Sequence, residues 1–307
     1  MRRILFVFLD GVGLGPAGPA NPLSPSPGTA FRRLGAGAPW TRALPETATA
    51  RHLVRPLDAT LEVDGLPQSG TGQATLFTGV NCAERVGRHF GPYPHSATHD
   101  VLDHENLFHR VQALPSVPDE AVAFANAFPP QFFEASSRRW TVTTRCCAGA
   151  GVPLRDLDAL RARRAVAADL TAQGWRDTLQ LDVPLRTPAE AAEALVATHR
   201  DHTLTLFEFF QTDKVGHERI DLPPSVLLAR LDKFLGRLLA LLNPDHDTLI
   251  VTSDHGNLED TSHTQHTRNP VPLIAFGWGA PHLADAQTLA DVTPAIVEAL
   301  RTGLGGQ

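Results

Sequence analysis

Four short, mainly apolar segments constrain the fold of this chain more than any other feature of its sequence. They cover residues 4–9, 203–210, 248–252 and 272–276. The first is continuously apolar, without the alternation of polar residues that marks a strand with one face in water, and we interpret the other three in the same way. Such strands are buried on both faces. The four segments therefore predict the strands of a parallel sheet covered by helices.

Helical patterns lie between these strands. Apolar residues at helical spacing follow Ser225 and predict a helix from that N-cap to Leu242. Thr187, Pro188 and Glu190 form a capping-box pattern, which predicts a second helix that runs to about His199 and leads into the strand at residue 203. Alternation of strand and helix predicts an α/β fold with a mostly parallel sheet flanked by helices.

Length and composition favour a single catalytic domain over residues 1–307. The chain has 42% hydrophobic residues, enough for a large core. The region from about 84 to 186 has weaker patterns and many prolines and histidines, and we interpret it as containing a small, loop-rich insert that could cover a substrate.

Charge and cysteine content exclude several classes of function. The net charge is −6 and the basic residues are scattered, so we expect no nucleic-acid partner. No segment approaches the roughly 20 apolar residues that cross a bilayer, so we expect no membrane partner. Three cysteines, two of them adjacent, favour a reducing cytoplasm over a disulfide framework. The sequence gives no indication of an oligomeric partner.

Carboxylates and imidazoles follow the predicted strands. Asp10, Asp213 and Asp254 each lie just beyond an apolar segment, and the carboxyl ends of parallel strands meet at one edge of a sheet. Ser69 precedes a glycine-rich turn and a segment, 74–77, that we interpret as the start of a helix, whose N-terminus favours anions. Oxygen and nitrogen ligands beside a hydroxyl are typical of divalent-metal phosphoryl-transfer sites. The motifs that supply them are Asp10-Gly11-Val12-Gly13, Gln68-Ser69-Gly70-Thr71-Gly72, Asp213-Lys214-Val215-Gly216-His217, Asp254-His255-Gly256-Asn257 and His266-Thr267-Arg268-Asn269-Pro270.

In these motifs and in their order, the chain resembles the alkaline phosphatase superfamily, and within it the branch of cofactor-independent phosphoglycerate mutases and phosphopentomutases. The resemblance covers approximately residues 1–80 and 203–279, and it implies an alkaline phosphatase-like fold that binds two divalent ions, Mn²⁺ or Zn²⁺. It assigns one ion to Asp213, His217 and His266. It assigns the other to Asp10, Asp254 and His255, with the nucleophilic hydroxyl of Ser69 as a further ligand.

Thr71 remains an alternative nucleophile, because it lies two residues from Ser69. The family spacing from the nucleophile to the glycine that ends the next helix favours Ser69, with Gly79 as that glycine. Gly70 and Gln73 stand where mutases of the family commonly have an acidic residue and a histidine. This departure bears on the substrate more than on the metals.

Five basic residues are candidates for binding the phosphate or carboxylate of a small phosphorylated substrate. For each of them an ordinary surface role is the competing interpretation. The five are Arg88, Arg138, Arg145, Lys214 and Arg268.

The sequence favours a phosphomonoesterase, or a phosphodiesterase, that acts through a phosphoserine. Mutases of the family carry a large cap domain, and the segment between Gly79 and the strand at residue 203 is too short for a full-sized cap as well as core elements. A phosphomutase is the second interpretation, and a catalytically silent metal-binding protein is the third. A sulfatase is disfavoured because its nucleophile motif is absent.

Overall fold

A computed structural model describes residues 1–115, 117–118, 120–134 and 140–305 of the chain. The strands are β1 (Arg3–Leu9), β2 (Thr47–Ala48), β3 (His52–Leu57), β4 (Val122–Phe124), β5 (Leu204–Phe209), β6 (Asp247–Thr252) and β7 (Val271–Gly277). The α-helices are α1 (Thr29–Leu34), α2 (Ser69–Thr78), α3 (Cys82–Val86), α4 (His99–His104), α5 (Leu107–Gln112), α6 (Pro130–Glu134), α7 (Val142–Gly149), α8 (Leu157–Arg161), α9 (Gln173–Asp177), α10 (Pro188–Arg200), α11 (Gln211–Gly216), α12 (Pro224–Leu241) and α13 (Val292–Gly305). Short 3-10 helices cover Ser96–Thr98, Ala280–Leu283 and Leu289–Asp291.

The strands of the described residues form one mixed sheet in the order β2-β3-β7-β6-β1-β5-β4. Strand β1 lies in the interior of the sheet and pairs in parallel with β5 and β6, and β4 pairs in parallel with β5. Strand β7 is antiparallel to β6 and to β3, and β2 is antiparallel to β3. Helices pack on both faces, which confirms the α/β fold.

The direction of β7 differs from the sequence prediction. We expected residues 272–276 to form a parallel strand, but β7 runs antiparallel to both of its neighbours, so the sheet is mixed rather than mostly parallel. An apolar segment reports burial on both faces, and burial does not depend on strand direction. Because β7 starts at the edge where β6 ends, the whole connection 253–270 lies at that edge.

The helices also refine the sequence predictions. The capping box at Thr187 is confirmed, because its hydroxyl accepts a hydrogen bond from the backbone N of Glu190, whose carboxylate accepts one from the backbone N of Thr187. Helix α12 begins at Pro224, so Ser225 lies within its first turn instead of capping it. Proline suits the first helical position, where its missing N–H has no helical partner.

Two apolar clusters, one on each face of the sheet, make up most of the core. The region 84–186 contributes to the first cluster through residues such as Phe108, Val142 and Cys147. A smaller cluster around Leu160 and Trp175 lies within the same region. No helix of the described residues has the length and apolar character needed to span a membrane.

Candidate metal centre

The ends of three neighbouring strands build the centre. Strand β1 lies between β5 and β6, and all three run in parallel, so their carboxyl ends meet at one edge of the sheet. Asp10 follows β1, and Asp254 follows β6. Asp213 lies in α11, the short helix that begins just after β5. The fold thus gathers carboxylates that are far apart in the sequence.

The first cluster consists of Asp213, His217 and His266. Asp213 Oδ1 lies 3.2 Å from His217 Nε2 and 3.5 Å from His266 Nε2. The two Nε2 atoms are 2.9 Å apart. Asp213 and His217 are four residues apart at the end of α11, and His266 reaches them from the β6–β7 connection.

Backbone carbonyls fix the orientation of both rings. His217 Nδ1 lies 2.6 Å from the carbonyl oxygen of Thr264, and His266 Nδ1 lies 2.7 Å from that of Pro67. A carbonyl only accepts, so each Nδ1 carries a hydrogen, and the neutral ring keeps a lone pair on Nε2. When both rings are neutral, their two Nε2 lone pairs face each other and repel. This arrangement suits a cation bound by both Nε2 atoms.

The second cluster consists of Asp10, Asp254 and His255, and all three are buried. His255 Nε2 lies 3.4 Å from Asp10 Oδ1 and 3.5 Å from Asp254 Oδ2. Neither of these two carboxylate oxygens accepts a hydrogen bond. Ser69 Oγ lies 2.9 Å from the same nitrogen, so the serine hydroxyl adjoins this cluster. Buried oxygens without a donor are costly unless they bind something else.

Burial and mutual repulsion act strongly on these carboxylates. Burial raises the pKa of Asp10 well above its ordinary value, and the charges of Asp254 and Asp213 raise it further. Burial, with the charge of Asp213, raises the pKa of Asp254 to about 7. Burial also raises the pKa of Asp213, but hydrogen bonding to His266 outweighs it, so the net pKa is lowered. A cation would offset the cost of holding three carboxylates together.

The three imidazoles differ in how readily they bind a proton. Burial, followed by the charge of His266, lowers the pKa of His255 to about 3, so its ring stays neutral. Burial lowers the pKa of His217 as well. Burial lowers the pKa of His266, but its hydrogen bond to Asp213 outweighs this and raises the net pKa. The donor set, the unpartnered oxygens and the facing lone pairs all fit divalent cations.

Ser69 and Thr71 have different environments. Ser69 is the first residue of α2, which starts earlier than the predicted position near Ala74. The hydroxyl of Thr71 is turned away into a buried connection, where it accepts a hydrogen bond from the backbone N of Phe90 at 3.1 Å. Of these two residues, Ser69 lines the cavity at the first cluster and Thr71 does not.

Three supporting residues were not identified from the sequence. Gln73 Nε2 donates to Asp10 Oδ2 at 3.3 Å, and Asn257 Nδ2 donates to Asp213 Oδ1 at 2.9 Å. Glu208, which is buried near the end of β5, accepts a hydrogen bond from Thr143 Oγ1 at 2.7 Å. Burial raises the pKa of Glu208 to about 7. An acidic residue within an apolar strand was the available signal for Glu208.

A cavity of about 340 Å³ opens beside Ser69 and the first cluster. Among the described residues that line this cavity, Arg219 is the one arginine or lysine. No sequence motif distinguishes Arg219 from other arginines. Its side chain is exposed and has no ion-pair partner among the described residues. Pro92 is the only lining residue from the region 84–186 within the part of the chain that the structure describes.

None of the predicted substrate-binding residues that the structure describes lines this cavity. Lys214 lies 4.5 Å from the ring centre of Phe210, and burial lowers its pKa. Arg268 donates to the carbonyl oxygen of Gly65 at 2.6 Å, rather than pairing with a carboxylate. Arg88 lines the neighbouring cavity. Arg145 forms an ion pair with Asp103 at 2.5 Å and does not line either cavity. Arg138 lies outside the described residues.

Comparisons with known proteins agree with this geometry. A family model described as "Metalloenzyme superfamily" matches residues 181–303, a range that contains the first cluster together with Asp254 and His255. The match covers less than half of the chain, and its description agrees with the two groups of metal-competent side chains. The 2,3-bisphosphoglycerate-independent phosphoglycerate mutase of Paracoccus denitrificans is 32% identical over 129 residues, which are 39% of this chain and 25% of the mutase. The match thus spans about a quarter (25%) of that relative's length.

Solved structures share the fold at low sequence identity. The alkaline phosphatase from the Antarctic bacterium TAB5 superposes with a TM-score of 0.58 at 12% identity over 97% of each chain. The phosphoglycerate mutase of Leishmania mexicana gives a TM-score of 0.51 at 12% identity, over 97% of this chain and 95% of the mutase. At this identity the likeness establishes the fold and leaves the reaction open.

Proposed function

We propose that the chain is a member of the alkaline phosphatase superfamily and a two-metal phosphomonoesterase that acts through a phosphoserine at Ser69. The observation that carries the proposal is the position of this hydroxyl. Ser69 Oγ lies 2.9 Å from His255 Nε2 in the second cluster, and Ser69 also lines the cavity at the first cluster. A nucleophile between two cation sites is the arrangement that an in-line phosphoryl transfer requires.

We assign one divalent ion to Asp213, His217 and His266, and the other to Asp10, Asp254 and His255, with Ser69 adjacent. The mixed oxygen and nitrogen donors favour Mn²⁺ or Zn²⁺. When bound, the ions supply positive charge that favours ionisation of a hydroxyl and neutralises phosphoryl oxygens.

The residues of the chain orient the reaction. Helix α2 holds Ser69 at its first position, where it lines the cavity. Ser69 Oγ releases its proton to solvent and bonds to phosphorus as the bond from phosphorus to the leaving oxygen breaks, and the leaving alkoxide takes up a proton from solvent. Water then attacks the phosphoserine, inorganic phosphate leaves, and the Ser69 hydroxyl is restored.

Hydrolysis is favoured over transfer to a second hydroxyl of the substrate. A mutase must exclude water from its phosphoenzyme. Of the described residues in the region 84–186, only Pro92 lines the cavity at Ser69, and much of that region packs into the main core instead. The matched relative named as a phosphoglycerate mutase supports the mutase as the second candidate. A phosphodiesterase would use the same nucleophile.

The proposed substrate is a small phosphorylated molecule that contacts the cations at the cavity. Arg219 lines the cavity, and Lys214 lies close enough to Asp10 and Asp213 for their charges to affect its pKa. Arg268 lies two residues from His266 and is already oriented by the carbonyl of Gly65. Arginine suits bidentate contacts with phosphate or carboxylate.

Product analysis tests the proposal. Protein loaded with Mn²⁺ or Zn²⁺ is incubated with an aryl phosphate, 3-phosphoglycerate or ribose 1-phosphate, and the products are followed by phosphorus NMR. We expect inorganic phosphate to accumulate. Positional isomers without free phosphate would establish the mutase instead, and no turnover of any substrate by metal-loaded protein would favour the catalytically silent alternative.

Substitution of the nucleophile gives a second test. Ser69→Ala should lower turnover by about a thousandfold or more, because no other hydroxyl occupies its position. Thr71→Val is the matched control, and we expect a far smaller loss, because Thr71 holds the connection at Phe90. A phosphopeptide trapped during turnover should contain Ser69. Near-normal turnover of Ser69→Ala would refute the assignment.

A further inference from the structure

Glu259 is a buried carboxylate that joins the segments around the metal centre. Its side chain is 1% exposed and accepts four hydrogen bonds. Glu259 Oε2 accepts from the backbone N of Gly13 and of Asn257, both at 2.8 Å. Glu259 Oε1 accepts from Thr267 Oγ1 at 2.5 Å and from Asn269 Nδ2 at 3.0 Å. All four partners present a hydrogen, so both oxygens act as acceptors and the position is built for a carboxylate.

The four donors come from three different segments, and each segment carries metal-centre residues. Gly13 belongs to the loop after β1, which contains Asp10. Asn257 follows Asp254 and His255, and its side chain also donates to Asp213 at 2.9 Å. Thr267 is adjacent to His266. One carboxylate therefore connects the segments that carry both clusters.

The backbone packs closely against the Glu259 carboxylate at two glycines. A Cβ atom at Gly13 would lie 2.3 Å from Glu259 Oε1, and one at Gly256 would lie 2.2 Å from the same oxygen. Any side chain at these positions would displace the carboxylate. The two glycines thus let the backbone approach Glu259 closely enough to form the short bonds described above.

We propose that Glu259 is a positioning residue for the metal centre, which holds the His266 segment in register with the loops after β1 and β6 and thereby sets the affinity for the ion bound by Asp213, His217 and His266. The proposal rests on the two-metal assignment under Proposed function. Partners outside the ligand set commonly change metal affinity by about 10–100-fold when they are removed.

The chemistry of glutamine makes the proposal specific to one ion. In Glu259→Gln, the amide oxygen can satisfy only one of the two donor pairs. The backbone N–H groups of Gly13 and Asn257 can only donate, so the amide oxygen must face them, and the amide NH₂ then faces Thr267 and Asn269. Asn269 Nδ2 loses its acceptor, and Asn269 cannot simply flip, because its Oδ1 already accepts from Arg42. The substitution should therefore loosen the His266 segment most.

Calorimetric titration of metal-stripped protein with Mn²⁺ tests this without substrate or turnover. Two backgrounds isolate the ions: Asp254→Asn retains the site at Asp213, and His217→Ala retains the site at Asp10. In the Asp254→Asn background, Glu259→Gln should weaken Mn²⁺ binding by about tenfold or more. In the His217→Ala background, the same change should have a clearly smaller effect.

Asp291→Asn is the matched control. Asp291 Oδ2 also accepts three hydrogen bonds, from the backbone N of Gln287 and from both the backbone N and hydroxyl of Thr288, but it lies just before α13. This change of carboxylate to amide should leave both affinities unaltered. Circular dichroism of the metal-free variants verifies the fold. If Glu259→Gln does not fold, Thr267→Val, which removes one donor to Glu259, should produce a smaller loss at the same ion.

Unchanged affinity in Glu259→Gln, or equal losses in both backgrounds, would overturn the proposal for Glu259. Wild-type protein that bound no Mn²⁺ would instead overturn the two-metal assignment on which it rests. The two failures are therefore distinguishable in one set of titrations.

Discussion

Strand β6 has a buried aspartate near each end, and the surroundings of the two carboxylates differ. Asp247, at its start, accepts from Arg3 Nε at 2.9 Å and from the backbone N of Asn243 at 3.0 Å, and it lies 3.4 Å from His199 Nε2. Asp254, beyond its end, has neighbouring carboxylates and an Oδ2 without a donor. The protein neutralises the first charge itself and leaves the second for a ligand.

The pKa values express the same contrast. Burial raises the pKa of Asp247, but hydrogen bonds from His199, the backbone and Arg3 outweigh it and lower the net pKa. For Asp254, burial and the charge of Asp213 act in one direction and raise the pKa to about 7. At the start of β6, the partners of Asp247 stabilise its charge. Beyond the end of β6, Asp254 has an unfavourable environment for charge that a bound cation would relieve.

The largest expected effect is the response to metal. Saturating Mn²⁺ or Zn²⁺ should stabilise the protein by about 5 kcal/mol, since each ion at a hundredfold excess over its dissociation constant contributes about 2.7 kcal/mol. Thermal unfolding with and without chelator measures this, and elemental analysis should give two ions per chain. His217→Ala should retain one ion. Fewer than about one and a half ions per chain at saturation would contradict the two-ion assignment.

Matched substitutions at the two ends of β6 should have opposite effects on the metal-free protein. Asp247→Asn should lower the free energy of unfolding by about 2 kcal/mol, because it leaves Arg3 without its carboxylate, although partial exposure of Arg3 moderates the loss. Asp254→Asn should raise the free energy of unfolding by about 1 kcal/mol, because it removes repulsion while the amide oxygen can still accept from Gly11. Urea unfolding in chelator measures both. Destabilisation by Asp254→Asn would remove the distinction between the two ends.

Substitution of Arg219 tests whether its guanidinium at the cavity binds the anionic group of the substrate. Arg219→Gln should lower kcat/KM for phosphomonoesters by about tenfold, because an unpaired guanidinium at the cavity loses its contact with the substrate anion. Arg32→Gln, at an exposed position of α1 that does not line the cavity, is the matched control and should leave kcat/KM unchanged. Equal effects of the two substitutions would assign Arg219 to the ordinary surface.

The smallest effect concerns pH and His199. Burial lowers the pKa of His199, so in the folded state it resists protonation. The unfolded state then binds more protons below about pH 6.5, and stability falls as the pH decreases through that value. The wild type should lose about 1 kcal/mol more than His199→Gln between about pH 7 and about pH 5.5, measured by urea unfolding in chelator. Identical losses would show that this imidazole does not resist protonation.

The positions of three aspartates after buried strands were enough to predict that these side chains lie at one edge of the sheet. Asp10, Asp213 and Asp254 all follow buried strands, and parallel strands bring such positions together. The direction of β7 could not be predicted, because an apolar segment has the same pattern in either direction. The α/β class was predicted correctly because buried strands and amphipathic helices each leave a pattern within a short segment of the sequence.

Residues that support the centre were harder to identify than the ligand candidates. No sequence pattern distinguishes Glu259, because its four donors come from segments up to 246 positions away. Glu208 interrupts an apolar strand without a recognisable motif. Arg219 lies on a turn after α11, and only the folded cavity distinguishes it from other exposed arginines.

Gly70, the second residue of α2, limits the substitutions that this edge of the sheet can accept. A Cβ atom there would lie 2.2 Å from the carbonyl oxygen of Tyr93 and 2.6 Å from that of Phe90. The acidic residue common at this position in the related mutases would therefore collide with the main chain of 90–93. A substitution at position 70 must therefore be accompanied by a change in the path of the main chain at residues 90–93, so Gly70 ties the start of α2 to that loop.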